Sequence, residues 1–174
     1  IGSNVANESL ISTPQGETIL AAGATVSLVD SATPGVKVDI TGAAGNATNL
    51  GQITAEAGRI GIAGVIVRNS GLVNASSVVN EGGRIFLRAS QDVSVDGNGR
   101  IEATGNPGGH IEIIGNQVTV TDNASIDAGG SLLVEMKGQQ PLGPPIFAAP
   151  INPGVIGGNT VINQTGGSLS LANG

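Results

Sequence analysis

The chain has 174 residues, 29 of them Gly, with no Cys, Trp or Tyr and two Phe; no disulfide framework holds it, and Val, Ile, Leu and Ala must fill any interior. Only 11% of residues are charged, against about a quarter in ordinary soluble proteins. The net charge of -6 argues against nucleic acid, which needs a basic face, and no apolar run approaches the roughly 20 residues of a membrane-spanning helix.

Residues 1–22 hold Leu10-Ile11-Ser12, a Pro-Gln-Gly turn ending at Gly16, and Ile19-Leu20-Ala21-Ala22, one statement of a strand-turn-strand unit. Gly16 and Gly58 are 42 residues apart, read here as two units of 21. Between them, apolar alternation at Val26, Leu28 and Val36, Val38, Ile40 flanks Pro34-Gly35, a pair that favours a tight turn with positive φ at the glycine. An antiparallel hairpin over residues 26–40 is expected, standing off the main body. Residues 42–49 read as a loop of small residues, after which Leu50-Gly51-Gln52-Ile53 and Gly58-Arg59-Ile60-Gly61-Ile62 restore the unit.

The pattern is clearest from Gly82 to Val134. Gly83, Gly109 and Gly130 each close a Gly-Gly pair and precede alternating apolar residues: Ile85 and Leu87, Ile111 and Ile113, Leu132 and Val134. That alternation is the period of a β-strand. Val93-Ser94-Val95 recurs as Val118-Thr119-Val120, and Ile101-Glu102-Ala103 as Ile126-Asp127-Ala128, both displaced by 25 residues. Three short strands cannot bury an apolar row alone, but stacked copies bury a continuous column. The fold class expected is all-β, a parallel β-helix of about seven coils, right-handed by the crossover rule for parallel strands. Its interior should hold Ile85, Leu87, Val93, Val95, Ile101, Ile111, Ile113, Val118, Val120 and Ile126.

The column should occupy residues 1–138, followed by a Pro-rich apolar loop over 139–158 and a final coil over 159–174. The stretch 139–154 carries five of the chain's eight prolines, which forbids a central strand. Leu142, Ile146, Phe147 and Ile151 are too apolar for water, so the loop is expected to lie back on a face of the column or on a neighbouring molecule, and these four are the residues expected to form the clasp if the chain self-assembles. Both ends are strand-like, with no polar cap or amphipathic helix. The column is therefore expected to be a window from a longer one or to stack head to tail, a contact that generates filaments. Lacking an initiator Met and a signal peptide, the sequence reads as a mature or excised piece.

The series running from Ile11-Ser12-Thr13-Pro14-Gln15-Gly16 through Val29-Asp30-Ser31-Ala32-Thr33-Pro34-Gly35, Asn49-Leu50-Gly51-Gln52-Ile53 and Gly58-Arg59-Ile60-Gly61-Ile62 to Gly82-Gly83-Arg84-Ile85-Phe86-Leu87 resembles the filamentous-haemagglutinin family of exported bacterial proteins, over about residues 5–130. The resemblance implies a right-handed β-helix, passage through an outer-membrane two-partner secretion translocator, and a secreted or cell-surface adhesin that meets host, neighbouring-cell or matrix glycans. The chain departs from the family after Gly130, and the Asn-Pro-Asn motifs of the family's secretion domain are absent. Two other readings stand beside the adhesin shaft: a fibre or sheath subunit that stacks on itself, and a polysaccharide-active β-helical enzyme.

The enzyme reading needs clustered acids. Asp92, Asp96, Glu102, Glu112, Asp122 and Asp127 lie mostly on the outward phase or in turns, and the sequence shows no basic cluster beside them to stabilise a developing oxyanion. His110 is the only histidine; its alternation with Ile111 points it outward, and no triad or metal set is expected around it. Asp96-Gly97-Asn98-Gly99 resembles part of a calcium loop but lacks the other ligands, so a turn with positive φ at its glycines is expected. Arg59 and Arg84 fall on one outward row, read as solubility. Asn-X-Ser/Thr sequons begin at Asn7, Asn46, Asn74, Asn123 and Asn163 and read as turn residues open to glycosylation. No catalytic residue, metal or cofactor is expected.

Overall fold

The structure, a computed structural model, describes residues 1–30, 36–42, 44–78, 82–121, 123–137, 161–163 and 169–173, by backbone alone at 28–30, 36–39, 41, 161–163 and 169–173. The first coil is β1 (Asn4–Asn7), β2 (Leu10–Ser12) and β3 (Glu17–Ala21), and a hairpin of β4 (Thr25–Asp30) and β5 (Val36–Thr41) follows it. The second coil is β6 (Asn46–Asn49), β7 (Gln52–Thr54) and β8 (Arg59–Gly64); the third is β9 (Ile66–Asn69), β10 (Leu72–Asn74) and β11 (Arg84–Ala89). The fourth is β12 (Asp92–Val95), β13 (Arg100–Glu102) and β14 (Gly109–Gly115), and the fifth β15 (Gln117–Val120), β16 (Ser125–Asp127) and β17 (Gly129–Met136). β18 (Val161–Asn163) and β19 (Leu169–Asn173) belong to a sixth.

Like strands of successive coils pair in parallel and in order, giving three sheets, β1-β6-β9-β12-β15, β2-β7-β10-β13-β16-β18 and β3-β8-β11-β14-β17-β19. This is a parallel β-helix, as expected from the repeat. It has six coils among the described residues rather than about seven. The difference lies between Gly16 and Gly58: Glu17 pairs with Arg59 and Asn4 with Asn46, so that stretch is one coil carrying the hairpin, not two units. β4 and β5 pair antiparallel with each other, and an excursion of that kind adds chain without advancing the column. The Pro34-Gly35 turn lies outside the described residues. Residues 46–49, read as loop, form β6, because register with β1 and β9 overrides the weak strand propensity of Asn and Ala.

Pairing in register makes the core a set of columns. Ile60, Ile85, Ile111 and Leu132 stack on one another, as do Leu20, Ile62, Leu87, Ile113 and Val134. The second sheet contributes Ile11, Ile53, Val73, Ile101 and Ile126, and the first Val5, Ala47, Val67, Val93 and Val118. All ten residues expected inside are buried. The repeated glycine marks a corner where coils touch: a Cβ on Gly58 would lie 2.3 Å from Gly16 O, on Gly83 2.2 Å from Gly58 O, on Gly109 2.2 Å from Gly83 O and on Gly130 2.3 Å from Gly109 O. No side chain fits there, so the glycine recurs once per coil.

One internal column is polar. Asn7, Asn49 and Asn69 occupy one register position inside the first three coils, and the last two are fully buried. Asn7 Nδ2 donates to Asn49 Oδ1 (2.9 Å), and Asn49 Nδ2 to Asn69 Oδ1 (2.8 Å) and Leu72 O (3.2 Å); Asn69 Nδ2 ends the ladder on Gly71 O (3.1 Å). The next positions in the column are Val95 and Val120, buried and apolar.

Two substitutions test this interior. Ile111→Asp places an unpaired charge in a dry aliphatic stack and is expected to destabilise by several kcal/mol or prevent folding; urea unfolding followed by circular dichroism measures the loss. Asn49→Ala removes a rung and takes the donor from Asn69 Oδ1, while Asn7 Nδ2 keeps Ser9 O and Gln52 O, at an expected cost of about 1–3 kcal/mol. A smaller loss for Asn49→Ala than for an exposed asparagine such as Asn46→Ala would show that the ladder contributes nothing.

Candidate functional site

With the interior filled, chemistry is confined to the outward rows, where side chains from different coils meet. Asp96, just past β12, meets Arg68 of β9: Arg68 Nε lies 3.0 Å from Asp96 Oδ2, and Ser70 Oγ donates to Asp96 Oδ1 at 2.5 Å. Glu112 of β14 accepts from Arg88 of β11, from Nε at 2.9 Å and from Nη2 at 2.5 Å. Glu102 pairs with Arg100 on its own strand and accepts from Asn74 Nδ2 at 3.3 Å. Asp127 Oδ1 accepts from Gly129 N at 3.1 Å; Asp92 is exposed, and Asp122 lies outside the described residues.

Asp96, Glu102 and Glu112 each have a single arginine beside them, a pairing that the sequence alone did not show. Residues 24 or 28 apart in sequence stand one coil apart in space, a distance of about 4.8 Å between strands. Glu102 and Asp127 are register partners on the second sheet, where Glu102 is tied to Arg100 and Asn74 and Asp127 accepts from the Gly129 amide; Asp92 and Asp96 lie on or beside the first sheet and Glu112 on the third.

His110 is also better connected than the sequence implied. It points outward with its side chain 34% exposed, Nδ1 lies 2.5 Å from Ser131 Oγ, and Nε2 lies 3.9 Å from Glu112 Oε2. Phe86 completes the cluster, its ring 6.2 Å from the imidazole and 5.5 Å below the Arg88 guanidinium, a cation–π contact. A serine, a histidine and a carboxylate thus come together where no triad was expected, because Ser131 is the register partner of His110 on the next coil. The contact with His110, together with Arg88, holds the Glu112 carboxyl below its ordinary value of 4.5, against the burial that pushes it up. An anion beside Nε2 favours the tautomer protonated there, leaving Nδ1 to accept from Ser131.

A nucleophile also needs donors aimed at a developing oxyanion. Here His110 N donates to Gly83 O at 3.0 Å, and β14 and β17 spend their backbone amides on the sheet ladder. The cluster fits a clamp across three coils better than a reaction centre.

Asp96-Gly97-Asn98-Gly99 forms the expected turn, with Gly97 at φ 60 and Gly99 N donating to Asp96 O at 2.9 Å; Gly99 itself is not in the left-handed region. The Asp96 carboxylate faces a guanidinium, a poor setting for a cation. Of the sequons, Asn7 is buried in the ladder, Asn74 is held by Glu102 and Ser76, and Asn46 is exposed. Leu142, Ile146, Phe147 and Ile151, the proposed clasp, lie outside the described residues. The asparagine ladder is what sequence reasoning missed; the signal present was Asn followed two residues later by Ser or Gly at Asn7, Asn49 and Asn69.

No protein-family model and no curated protein matches the chain. Among solved structures the fold is similar to the HMW1 secretion domain from Haemophilus influenzae, with a TM-score of 0.67 and 21% sequence identity. The likeness covers 97% of this chain, which spans 61% of the length of that one. At this identity it establishes the fold, a β-helix of the type seen in that domain. No helix among the described residues is long and apolar enough to cross a membrane.

The Glu112 cluster has a pH signature. A carboxyl whose folded value is depressed adds stability above its unfolded value, and that stability is lost as pH falls through the folded value. The wild type is therefore expected to exceed Glu112→Gln in stability above pH 4.5 and to lose that margin in more acid solution. His110→Ala should move the Glu112 titration, followed by carboxyl-carbon NMR, back toward 4.5. An unchanged titration would show that the imidazole does not hold the carboxylate.

Proposed function

We propose that the chain is a non-catalytic β-helical segment of a bacterial protein exported through a two-partner outer-membrane translocator and working at the cell surface, where it carries or spaces an adhesive function toward cell-surface or matrix glycans. The observation that supports this most is the likeness, over 97% of the chain, to the fold of a secretion domain. The resemblance of about residues 5–130 to filamentous-haemagglutinin proteins points the same way and supplies the export route. The non-catalytic part rests on the outward rows: among the described residues Asp96, Glu112 and Glu102 are each tied to an arginine, and the serine-histidine-carboxylate cluster sits on a strand face whose amides are already bonded.

The test is export itself. The chain is fused to a cleavable signal peptide and produced in a Gram-negative host, with and without a two-partner translocator from its own source. Folded chain should accumulate in the medium only when the translocator is present. Retention in the periplasm despite the translocator, or equal release without it, would remove the export reading.

A further inference from the structure

Arg68, Arg88 and Arg100 each have a carboxylate partner: Asp96, Glu112 and Glu102. Arg59 and Arg84 differ. They are register partners on β8 and β11, with side chains on the outward row of the third sheet, and neither has an ion pair among the described residues. Adjacent parallel strands lie about 4.8 Å apart, and like charges placed directly opposite one another across strands are destabilising. Among the described residues, neither register neighbour quenches the pair fully. His110, next in the row beyond Arg84, is turned to Ser131 and Glu112, while Glu17 stands in register beyond Arg59 with a single negative charge.

We infer that Arg59 and Arg84 together form a binding site for a tetrahedral, doubly charged oxyanion, a sulfate or phosphate group. Two arginines rooted one strand spacing apart can bring both guanidinium groups to one anion, and a tetrahedral anion has enough oxygens to accept from both at once, whereas a carboxylate satisfies one fork with one charge. Arg84 is exposed and Arg59 partly so, leaving the site open to solvent. The column holds the spacing rigid, because both backbones are fixed from below: Arg59 N donates to Gly16 O and Arg84 N to Gly58 O, each at 2.9 Å. This inference does not depend on export, since it concerns a surface site of the folded chain.

The experiment follows the arginine Nε–H resonances by NMR while inorganic sulfate, and separately inorganic phosphate, is added, with sodium chloride at matched ionic strength and acetate as controls. Saturable shifts at Arg59 and Arg84 with sulfate or phosphate, at a dissociation constant on the order of a millimolar, support the site; which anion saturates first says which group it prefers. Arg84→Gln should weaken binding about tenfold, and Glu17→Gln should tighten it by removing the opposing charge. Arg68, already paired with Asp96, should not respond. Shifts that grow linearly as they do in chloride, an equal response at Arg68, or saturation by acetate at the same concentration would each overturn the assignment.

Discussion

Register is the constraint on which the rest of the structure depends. Each strand lies parallel on its counterpart in the coil below, so the nearest neighbour of a side chain is the one at the same position one coil away. Whatever occupies a position is judged against its own column. Aliphatic columns are self-consistent, and Ile53, Val73, Ile101 and Ile126 need nothing but one another. A polar column works only if every rung has a partner, and the Asn7, Asn49 and Asn69 amides meet that condition by bonding to each other and to corner carbonyls. Among the described residues no buried side-chain nitrogen or oxygen is left without a partner.

The corners set how closely coils approach. Glycine at 16, 58, 83, 109 and 130 and alanine at 55, 75, 103 and 128 allow backbones to touch and leave the turn tight. Between corners the chain has freedom. A coil can carry a whole hairpin, as the first does between Ala21 and Asn46, or a one-residue irregularity, as β17 does opposite Gly109 and His110, without disturbing the strands above and below. Length can vary on the arcs because the cost of a longer surface loop grows slowly, whereas a shift within a strand would turn every inward side chain out.

Function must therefore live on the outward rows, and their electrostatics follow from the same stacking. Arginine and carboxylate on adjacent coils find each other without any local sequence motif, and each such exposed pair adds little stability. The Phe86, Arg88, His110, Glu112 and Ser131 cluster is the densest of these meetings. It resembles a catalytic set in composition, yet a flat sheet with its amides engaged supplies no oxyanion donors. The row of Arg59 and Arg84 is the opposite case, two like charges stacked with no carboxylate paired to either among the described residues.

Much of the interior was legible in the sequence, because a period of two is a local property: Ile85 and Leu87 or Ile111 and Ile113 declare an inward face without reference to any other strand. The hairpin was legible for the same reason. The coil count was not, since spacing alone does not separate two short coils from one coil with an excursion; only the pairing of Glu17 with Arg59 decides it. Nor were β6 and the asparagine ladder, because Asn, Ala and Thr carry no strand signal of their own and Asn49 becomes a core residue only when Asn7 and Asn69 lie beside it. The partners of Asp96, Glu112 and His110 belong to the same class. Arg68, Arg88 and Ser131 sit 28, 24 and 21 residues away from them along the chain, and folding into coils brings them within hydrogen-bond reach. The sequence by itself determined what the aliphatic strands bury; the tertiary structure decided which residues share a column, because that depends on the length of every intervening arc.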